Sequence, residues 1–322
     1  MSKVCIFGAG AIGGLIGARL ALKGEAEVSL VARGPHLEAM KAKGLTLRQA
    51  GETHVVRPKA TDDPRELGPQ DYIILALKAH GVQSVIGQMQ PLIGKHTAIL
   101  FAQNGLPWWY FHGTGGPYEG TRLESVDPGG EIWNRIGPER AIGSVVWQAA
   151  EIEAPGVIAH HYGDRMPIGE PSGEKTARVT ELSRLLTEAG IKSPVKAGLR
   201  NEIWLKLWGN LSFNPVSVLT NGTLVELATD TGTHRVIRTM MEEARAVGEA
   251  IGVSFAVGVD ERIAMAAKVG AHRTSMLQDV DARRPTELEA LLGVVIELAT
   301  IVNIGTPSLQ LVYDLCKFRS RT

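Results

Sequence analysis

A glycine-rich loop near the start of the chain constrains the fold most strongly. The segment "KVCIFGAGAIGG" runs from an apolar stretch into glycines at positions 8, 10 and 13, and an apolar, helix-like segment follows. A G-x-G-x-x-G pattern between a buried strand and a helix is typical of dinucleotide-binding domains. Its glycines permit a tight turn, a close approach of backbone amides to a pyrophosphate, and close packing of helix on strand. A glycine-rich turn in another α/β fold is the less favoured interpretation.

Strands and helices alternate through residues 1–197. After the loop come a helix that ends at Gly24, a second apolar strand, "AEVSLV", and a hairpin predicted around Ala50-Gly51. Two further apolar runs, "DYIILAL" and "TAILFAQ", flank a helical segment, and this alternation predicts a parallel sheet with right-handed crossovers. The segments "AIGSVVWQAAEI", "GVIAHHYG" and "RMPIGE" predict a more antiparallel edge. An amphipathic helix that ends at Gly190 completes this part of the chain.

From residue 199 onward the hydrophobic pattern has the period of helices. Helices are predicted over residues 199–213, 232–251, 258–279 and 286–303, with a short one near 308–318. A chain of 322 residues also exceeds a typical single core. We therefore predict an α/β fold class with two domains. Residues 1–197 would form a Rossmann-type, doubly wound, NADP-binding domain, and residues 198–322 an all-helical domain for substrate binding and catalysis.

Charge and composition exclude several classes of partner. Lys plus Arg and Asp plus Glu both total 34, so the net charge of zero argues against nucleic acid or an anionic membrane as partner. The longest apolar helical run, residues 288–302, contains Glu289 and Glu297 and is too short and polar to span a bilayer. Only Cys5 and Cys316 occur, and the first strand leaves no room for a signal peptide before it. We expect a cytoplasmic protein, and the apolar helical faces permit a homodimer.

Two basic residues follow predicted strands at the ligand-binding edge of the sheet. An NAD-preferring site places an acid about twenty residues after the glycines. Arg33 stands there instead, and because a guanidinium pairs with a 2′-phosphate, we favour NADP(H) over an ordinary surface arginine. Lys78 either contacts the cofactor or is a simple strand-end lysine, and the sequence leaves both open. The other expected cofactor contacts are the loop residues Gly8, Ala9, Gly10, Ala11, Ile12 and Gly13.

A stripe of polar residues crosses an otherwise apolar helix. In "NEIWLKLWGNLSFNPVSVLTN" Lys206, Asn210 and Asn214 recur every four residues. Four residues turn a helix by about 400°, so these side chains share one face. Singly they have ordinary explanations: a lysine that reaches solvent, a core amide, and a helix terminator before Pro215. Together they predict the wall of a cleft, where a lysine's pKa would fall toward neutrality.

Together with "RTSMLQDVDARRPTELEALLG" and "FAQNG", this helix resembles the ketopantoate reductase (2-dehydropantoate 2-reductase) family, over essentially the whole chain. The resemblance implies NADPH-dependent reduction of a 2-oxo acid, first of all 2-dehydropantoate in pantothenate biosynthesis, at an active site between two domains. By the same resemblance, Lys206 matches the general acid that protonates the ketone, and Glu287 matches the acid that orients it. The implied substrate-binding residues are Asn104, Asn210, Asn214 and Ser275, and Asn104 also matches an amide beside the nicotinamide.

Two departures from the family pattern leave the substrate open. The family's Glu-x-Asp-Tyr-x-Asn-Gly reads "ELEALLG" over residues 287–293, which keeps the glutamate and changes the pocket wall. Residues 107–140 form a longer segment, interpreted as a pocket rim, a loop packed on its own aromatics, or a subunit contact. The alternatives are therefore a bulkier 2-oxo acid and, more remotely, a non-catalytic NADPH sensor, against which the retained Lys206 and Glu287 argue. His160-His161 do not predict a metal site.

Overall fold

The structure is a computed structural model that describes residues 1–320. It divides into two compact units. Unit 1 comprises Met1–Gln103, Trp109–Thr121 and Glu131–Leu199, and unit 2 comprises Asn104–Trp108, Arg122–Gly130 and the chain from Arg200 onward. The 107–140 segment therefore contributes to both units.

Unit 1 is built from strands and helices that alternate along most of its length. Its strands are β1 (Ser2–Phe7), β2 (Ala26–Val31), β3 (Leu45–Gln49), β4 (Glu52–Val56), β5 (Lys59–Thr61), β6 (Gln70–Leu75), β7 (Ile93–Phe101), β8 (Ala141–Ser144), β9 (Ala149–Ala154), β10 (Val157–Tyr162) and β11 (Ile168–Gly169). Its helices are α1 (Ala11–Lys23), α2 (Gly34–Lys43), α3 (Ala79–Met89), α4 (Glu131–Ile136) and α5 (Ala177–Glu188). The predicted helix ends at Gly24 and Gly190 are confirmed. Both glycines have a positive φ, the left-handed backbone conformation that commonly ends an α-helix.

The main sheet of unit 1 has seven strands in the order β11-β8-β7-β6-β1-β2-β5. From β8 to β5 all neighbours are parallel. Ile6, Leu30 and Ile74 in the central strands are fully buried, as expected for strands covered on both faces. The chain proceeds from β1 to β2 on one side and returns to β6 on the other. The predicted doubly wound α/β fold is confirmed, and the strand order reverses at β1, where such folds bind ligands.

The predicted antiparallel edge is only partly correct. β11 pairs antiparallel with β8 at the edge, but β8 itself runs parallel to β7. β9 and β10 leave this sheet and join the β3–β4 hairpin in a second sheet, of order β4-β3-β10-β9. The hairpin turn at Ala50-Gly51 is as predicted, with positive φ at both residues. Strand pattern alone does not reveal which sheet a strand joins, because β10 pairs with β3 across a long stretch of sequence.

Unit 2 is helical, and its helices differ from the predicted ones in length. They are α6 (Leu199–Thr220), α7 (Leu224–Thr229), α8 (Thr231–Ala250), α9 (Val259–Ala267), α10 (Ser275–Asp281), α11 (Val294–Ile301) and α12 (Pro307–Arg319), with a π-helical turn at Glu289–Gly293. The prediction of one continuous helix over residues 258–279 is wrong, because a non-helical segment separates α9 from α10. The short helix α7 was not predicted. Among residues 1–320 no helix combines the length and apolar character needed to cross a bilayer.

The helix that carries the polar stripe continues past its predicted end at residue 213. α6 passes through Pro215 and ends at Thr220, so the interpretation of Asn214 as a helix terminator is wrong. A proline inside a helix removes one hydrogen bond and costs about 3 kcal/mol. Here Phe213, Val216 and Val218 are buried around it, and their packing offsets that cost.

The aromatic residues of the 107–140 segment are core residues. Trp109, Tyr110 and Phe111 are at most 2% exposed. Phe111 makes an edge contact with Tyr110 at 5.0 Å between ring centroids and lies 5.7 Å from the Tyr118 ring. These contacts agree with the alternative in which the segment packs on its own aromatics. In unit 2, the Glu297 carboxylate accepts the amides of Glu124 and Ser125 at 2.8 and 2.9 Å, which ties the later part of the segment to α11.

Candidate active site

The glycine loop has the backbone geometry that a dinucleotide site requires. Gly8 has a φ of +93°, and its amide and that of Ala9 donate to the Val31 carbonyl at 3.1 and 3.0 Å. A Cβ on Gly13 would lie 2.2 Å from the Gly8 carbonyl oxygen, so only glycine lets α1 pack this closely. A Cβ on Gly10 would meet no atom within 4 Å. Gly10 therefore leaves free space at the start of α1, where helix amides attract anions.

The remaining predicted cofactor residues follow strands at the same edge of the sheet. Arg33 is exposed, lies just beyond β2 and is the N-cap residue of α2. Lys78 is half-buried, lies beyond β6 and is the N-cap residue of α3. Because β1 separates β2 from β6, the two basic residues flank the point where the strand order reverses. Ala11 and Ile12 form the first turn of α1. This arrangement fits a dinucleotide phosphate group, and the individual contacts stay a prediction.

In unit 2 the structure brings together Lys206, Asn104 and Glu287. The Lys206 ammonium donates to Asn104 Oδ1 at 2.7 Å, and Asn104 Nδ2 donates to Glu287 Oε2 at 3.3 Å. Burial lowers the pKa of Lys206 from 10.5 to about 8, while the Glu287 charge raises it and limits the shift. A lysine with this pKa is a competent general acid near neutral pH. The predicted catalytic pair is thus spatially adjacent, with an amide between its members.

The bridging position of Asn104 is a feature that the sequence did not reveal. Gly105 follows with a φ of +89°, and a Cβ there would lie 2.3 Å from the Ala290 carbonyl oxygen. The Leu106 amide donates to that same oxygen at 3.0 Å. Ala290 belongs to the π-helical turn, and such turns are frequent at functional sites. This turn, which closely follows Glu287 in the sequence, therefore positions the backbone that carries Asn104.

The other predicted substrate residues lie along α6 and at the start of α10. Asn210 is half-buried and Asn214 is 5% exposed. Ser275 is exposed at the first position of α10. The preceding Thr274 hydroxyl bonds the Ser217 hydroxyl of α6 at 2.5 Å, which brings the start of α10 close to the end of the polar stripe. Their roles toward a substrate stay predictions.

The residues that depart from the family pattern have separate environments. Leu292 is fully buried and fills the core of unit 2, and Ala290 packs beneath Gly105. Glu289 points elsewhere and accepts a hydrogen bond from the Tyr313 hydroxyl at 2.6 Å. Ala290 is tied to the backbone that follows Asn104, through its contact with Gly105 and the hydrogen bond from the Leu106 amide. Within the part of the chain that the structure describes, no cluster of three His, Cys, Asp or Glu side chains has the geometry of a metal site.

Two family descriptions match most of the chain. "Ketopantoate reductase PanE/ApbA" matches residues 4–108, and "Ketopantoate reductase PanE/ApbA C terminal" matches residues 198–320. A Mesorhizobium japonicum protein named 2-dehydropantoate 2-reductase is 53% identical over 315 residues, covering 98% of this chain and 97% of that protein. Sequence similarity therefore extends over nearly the full length of both chains.

Solved structures show the same fold. A crystal structure from Ralstonia solanacearum MolK2, assigned as a ketopantoate reductase, has a TM-score of 0.94 and 39% identity, covering 100% of this chain and 98% of that one. The ternary structure of D-mandelate dehydrogenase with NADH and anilino(oxo)acetate has a TM-score of 0.83 at 22% identity, covering 99% and 98%. At that identity the second likeness supports the fold alone.

Proposed function

The chain belongs to the ketopantoate reductase family, and from this premise we propose that it reduces 2-dehydropantoate to pantoate with NADPH. One observation carries the proposal beyond family membership. The ammonium of Lys206 donates to Asn104, whose amide donates to Glu287, and the lysine pKa is lowered to about 8. A binding protein without catalysis needs the glycine loop but has no use for a proton donor of this kind.

We assign cofactor binding to residues 1–197 and substrate binding and catalysis to residues 198–322. Asn104, outside the second range, also contributes to catalysis by orienting Lys206. The glycine loop, with Arg33 and Lys78, would hold the dinucleotide phosphates. Bound NADPH supplies the hydride that C2 of the 2-oxo acid accepts. Lys206 donates a hydrogen bond to the ketone oxygen and then its proton, as negative charge develops on that oxygen. Glu287 favours the charged form of the lysine, and Asn104 fixes the direction of its ammonium.

A substrate panel tests the proposed activity directly. The purified protein is mixed with NADPH and a series of 2-oxo acids of increasing bulk, and NADPH oxidation is followed. We expect the highest kcat/KM with 2-dehydropantoate. A larger kcat/KM with a bulkier, apolar 2-oxo acid would assign the alternative substrate, which the small Ala290 at the site favours. Tight NADPH binding without turnover of any 2-oxo acid would contradict the enzymatic proposal.

Replacement of two loop glycines by alanine is expected to have different consequences. Gly10→Ala places its methyl group in open space, so the protein folds normally while the dissociation constant for NADPH rises at least about tenfold. Gly13→Ala forces a methyl group to within 2.2 Å of the Gly8 carbonyl oxygen, so stability itself falls by about 1–3 kcal/mol. Urea unfolding and calorimetric titration with NADPH measure both effects. Equal stability losses in the two variants would contradict this assignment.

Replacement of Arg33 tests the choice between the two nicotinamide cofactors. Arg33→Ala removes an exposed guanidinium beyond β2 and is expected to weaken NADPH about tenfold while leaving NADH unchanged. The ratio of kcat/KM for the two cofactors is the measurement. Arg57→Ala, another exposed arginine of unit 1, is the matched control. An unchanged ratio in Arg33→Ala would show that Arg33 does not contact the 2′-phosphate.

We also propose that the protein is cytoplasmic and acts on a small molecule without a nucleic-acid or membrane partner. The balanced charge of 34 basic and 34 acidic residues supports this proposal. A homodimer is compatible with exposed apolar side chains on α12, namely Leu311, Leu315 and Phe318. Light scattering coupled to gel filtration measures the oligomeric state.

A further inference from the structure

A half-buried histidine connects the glycine loop to two other parts of unit 1. His36 lies in the first turn of α2, three residues after Arg33. Its Nε2 lies 2.9 Å from the Ala9 carbonyl oxygen, in the middle of the glycine loop. The Gly156 amide donates to its Nδ1, also at 2.9 Å. One imidazole therefore joins the loop, α2 and the turn between β9 and β10.

The two partners determine the protonation state of the ring. A carbonyl oxygen only accepts, so Nε2 must carry a hydrogen, and a backbone amide only donates, so Nδ1 must present its lone pair. Only the neutral Nε2–H tautomer satisfies both. A protonated ring would carry a hydrogen on Nδ1 that faces the Gly156 N–H, which removes one hydrogen bond and adds repulsion.

The Gly156 turn has little freedom to adapt to such a change. Gly156 has a φ of +77°, and a Cβ there would lie 2.9 Å from Ala39 Cβ of α2. Its carbonyl accepts the Thr46 amide at 2.8 Å, which links the turn to β3. The second sheet also reaches α1, because a Cβ on Gly14 would lie 2.8 Å from Ile158 of β10. The second sheet thus contacts both α1 and α2, and His36 links α2 to the glycine loop and to the Gly156 turn through hydrogen bonds.

We propose that His36 is a positioning residue that holds the glycine loop in its dinucleotide-binding form only while its ring is neutral. The inference rests on the proposed use of a dinucleotide and adds a determinant of cofactor affinity outside the glycine motif. His36 acts through Ala9, whose carbonyl it fixes between Gly8, which forms the tight turn, and Gly10, which leaves room for the phosphates. Cofactor affinity is therefore coupled to the titration of a residue on α2, the helix whose N-cap is Arg33.

The direction of the pH effect follows from the surroundings of the ring. Burial lowers the pKa of His36 from 6.5, and the bond to Ala9 opposes this shift. No charged group contributes to the shift, although several occur on the elements around the ring. These are Arg33 at the N-cap of α2, Glu38, Lys41 and Lys43 on α2, Lys59 on β5, which α2 contacts, and Glu153 on β9, which pairs with Arg48. The neutral ring dominates above pH 6.5, and the link is lost as pH falls through the lowered pKa.

Two variants and one ligand test this proposal. His36→Phe removes both hydrogen bonds and is expected to raise the Kd for NADP⁺ about tenfold at neutral pH. His36→Gln offers one N–H and one carbonyl oxygen, as the neutral ring does, but does not titrate. We expect this variant to bind NADP⁺ with a Kd near that of the wild type at neutral pH. Calorimetric titration of the full chain, from neutral to acid pH, measures each Kd, and NADP⁺ is used because it withstands acid.

The comparison between wild type and His36→Gln isolates the histidine. The 2′-phosphate of the ligand titrates with a pKa of about 6, but it does so equally for both proteins. We expect the wild type to lose additional affinity as pH falls and His36→Gln not to. Equal acid weakening in the two proteins, or a Kd for His36→Phe within about twofold of the wild type, would overturn the proposal. Absence of NADP⁺ binding by the wild type at neutral pH would instead contradict the proposed function.

Discussion

Lys206→Met is expected to lower kcat for 2-oxo acid reduction by about 10²–10⁴-fold, the usual contribution of a general acid. Methionine has a similar length and is apolar, so it fills the same space without a proton to donate. Removal of the ammonium relieves its desolvation but leaves the Glu287 carboxylate without that charge, and because these effects oppose each other, we expect only a small change in melting temperature. The measurement combines steady-state kinetics with thermal unfolding. Lys268→Ala, an exposed lysine that follows α9 in the same unit, is the control and should change neither value.

The pH dependence of the wild type provides a second test of Lys206. Reduction requires the charged amine, whose pKa is about 8, so kcat/KM for the 2-oxo acid should fall as pH rises above that value. Oxidation of the 2-hydroxy acid requires the neutral amine and should rise over the same range. Glu287→Gln removes the charge that raises the lysine pKa, so the pH profiles of both reduction and oxidation should move to lower pH. Profiles that do not move in Glu287→Gln would contradict an electrostatic role for that carboxylate.

Much of the cofactor side was predictable from the sequence because its determinants are local. Gly8 and Gly13 are dictated by a positive φ and by a close approach within one strand-loop-helix segment. The polar stripe on α6 was predictable for the same reason, since helical period places Lys206 and Asn210 on one face. These positions depend on spacing within a single element, which a sequence displays directly.

The bridge between Lys206 and Glu287 was not predictable, because it joins residues that are distant in sequence. Asn104 is 102 positions from Lys206 and 183 from Glu287. The π-helical turn at Glu289–Gly293 has no signature in "EALLG", and it is the carbonyl of this turn that receives the Leu106 amide. The helix end predicted at residue 213 was wrong because the helix continues to Thr220. The packing of Phe213 and Val216 outweighed the local effect of Pro215. Tertiary contacts decided each of these features.

Gly105→Ala is expected to damage catalysis and stability together, although the residue has no reactive group. Its methyl group would lie 2.3 Å from the Ala290 carbonyl oxygen, so the backbone must move and the bond between Leu106 and Ala290 must lengthen or break. Asn104 moves with it, and a displacement of about 1 Å at a catalytic group costs about 10²-fold in rate. Overpacking and a left-handed alanine together cost about 2–4 kcal/mol. Single-turnover kinetics and urea unfolding measure the two effects.

Gly115→Ala separates the cost of backbone conformation from the cost of the contact. Gly115 also has a positive φ, +64°, but a Cβ there meets no atom within 4 Å. This control should lose only the conformational part, about 1–2 kcal/mol, and should retain wild-type kcat. A kcat for Gly105→Ala as high as that of Gly115→Ala would show that the π-helical turn does not position Asn104. A selective loss of kcat in Gly105→Ala, with Lys206 and Glu287 unaltered, would establish Asn104 as the link through which this turn acts on the reaction.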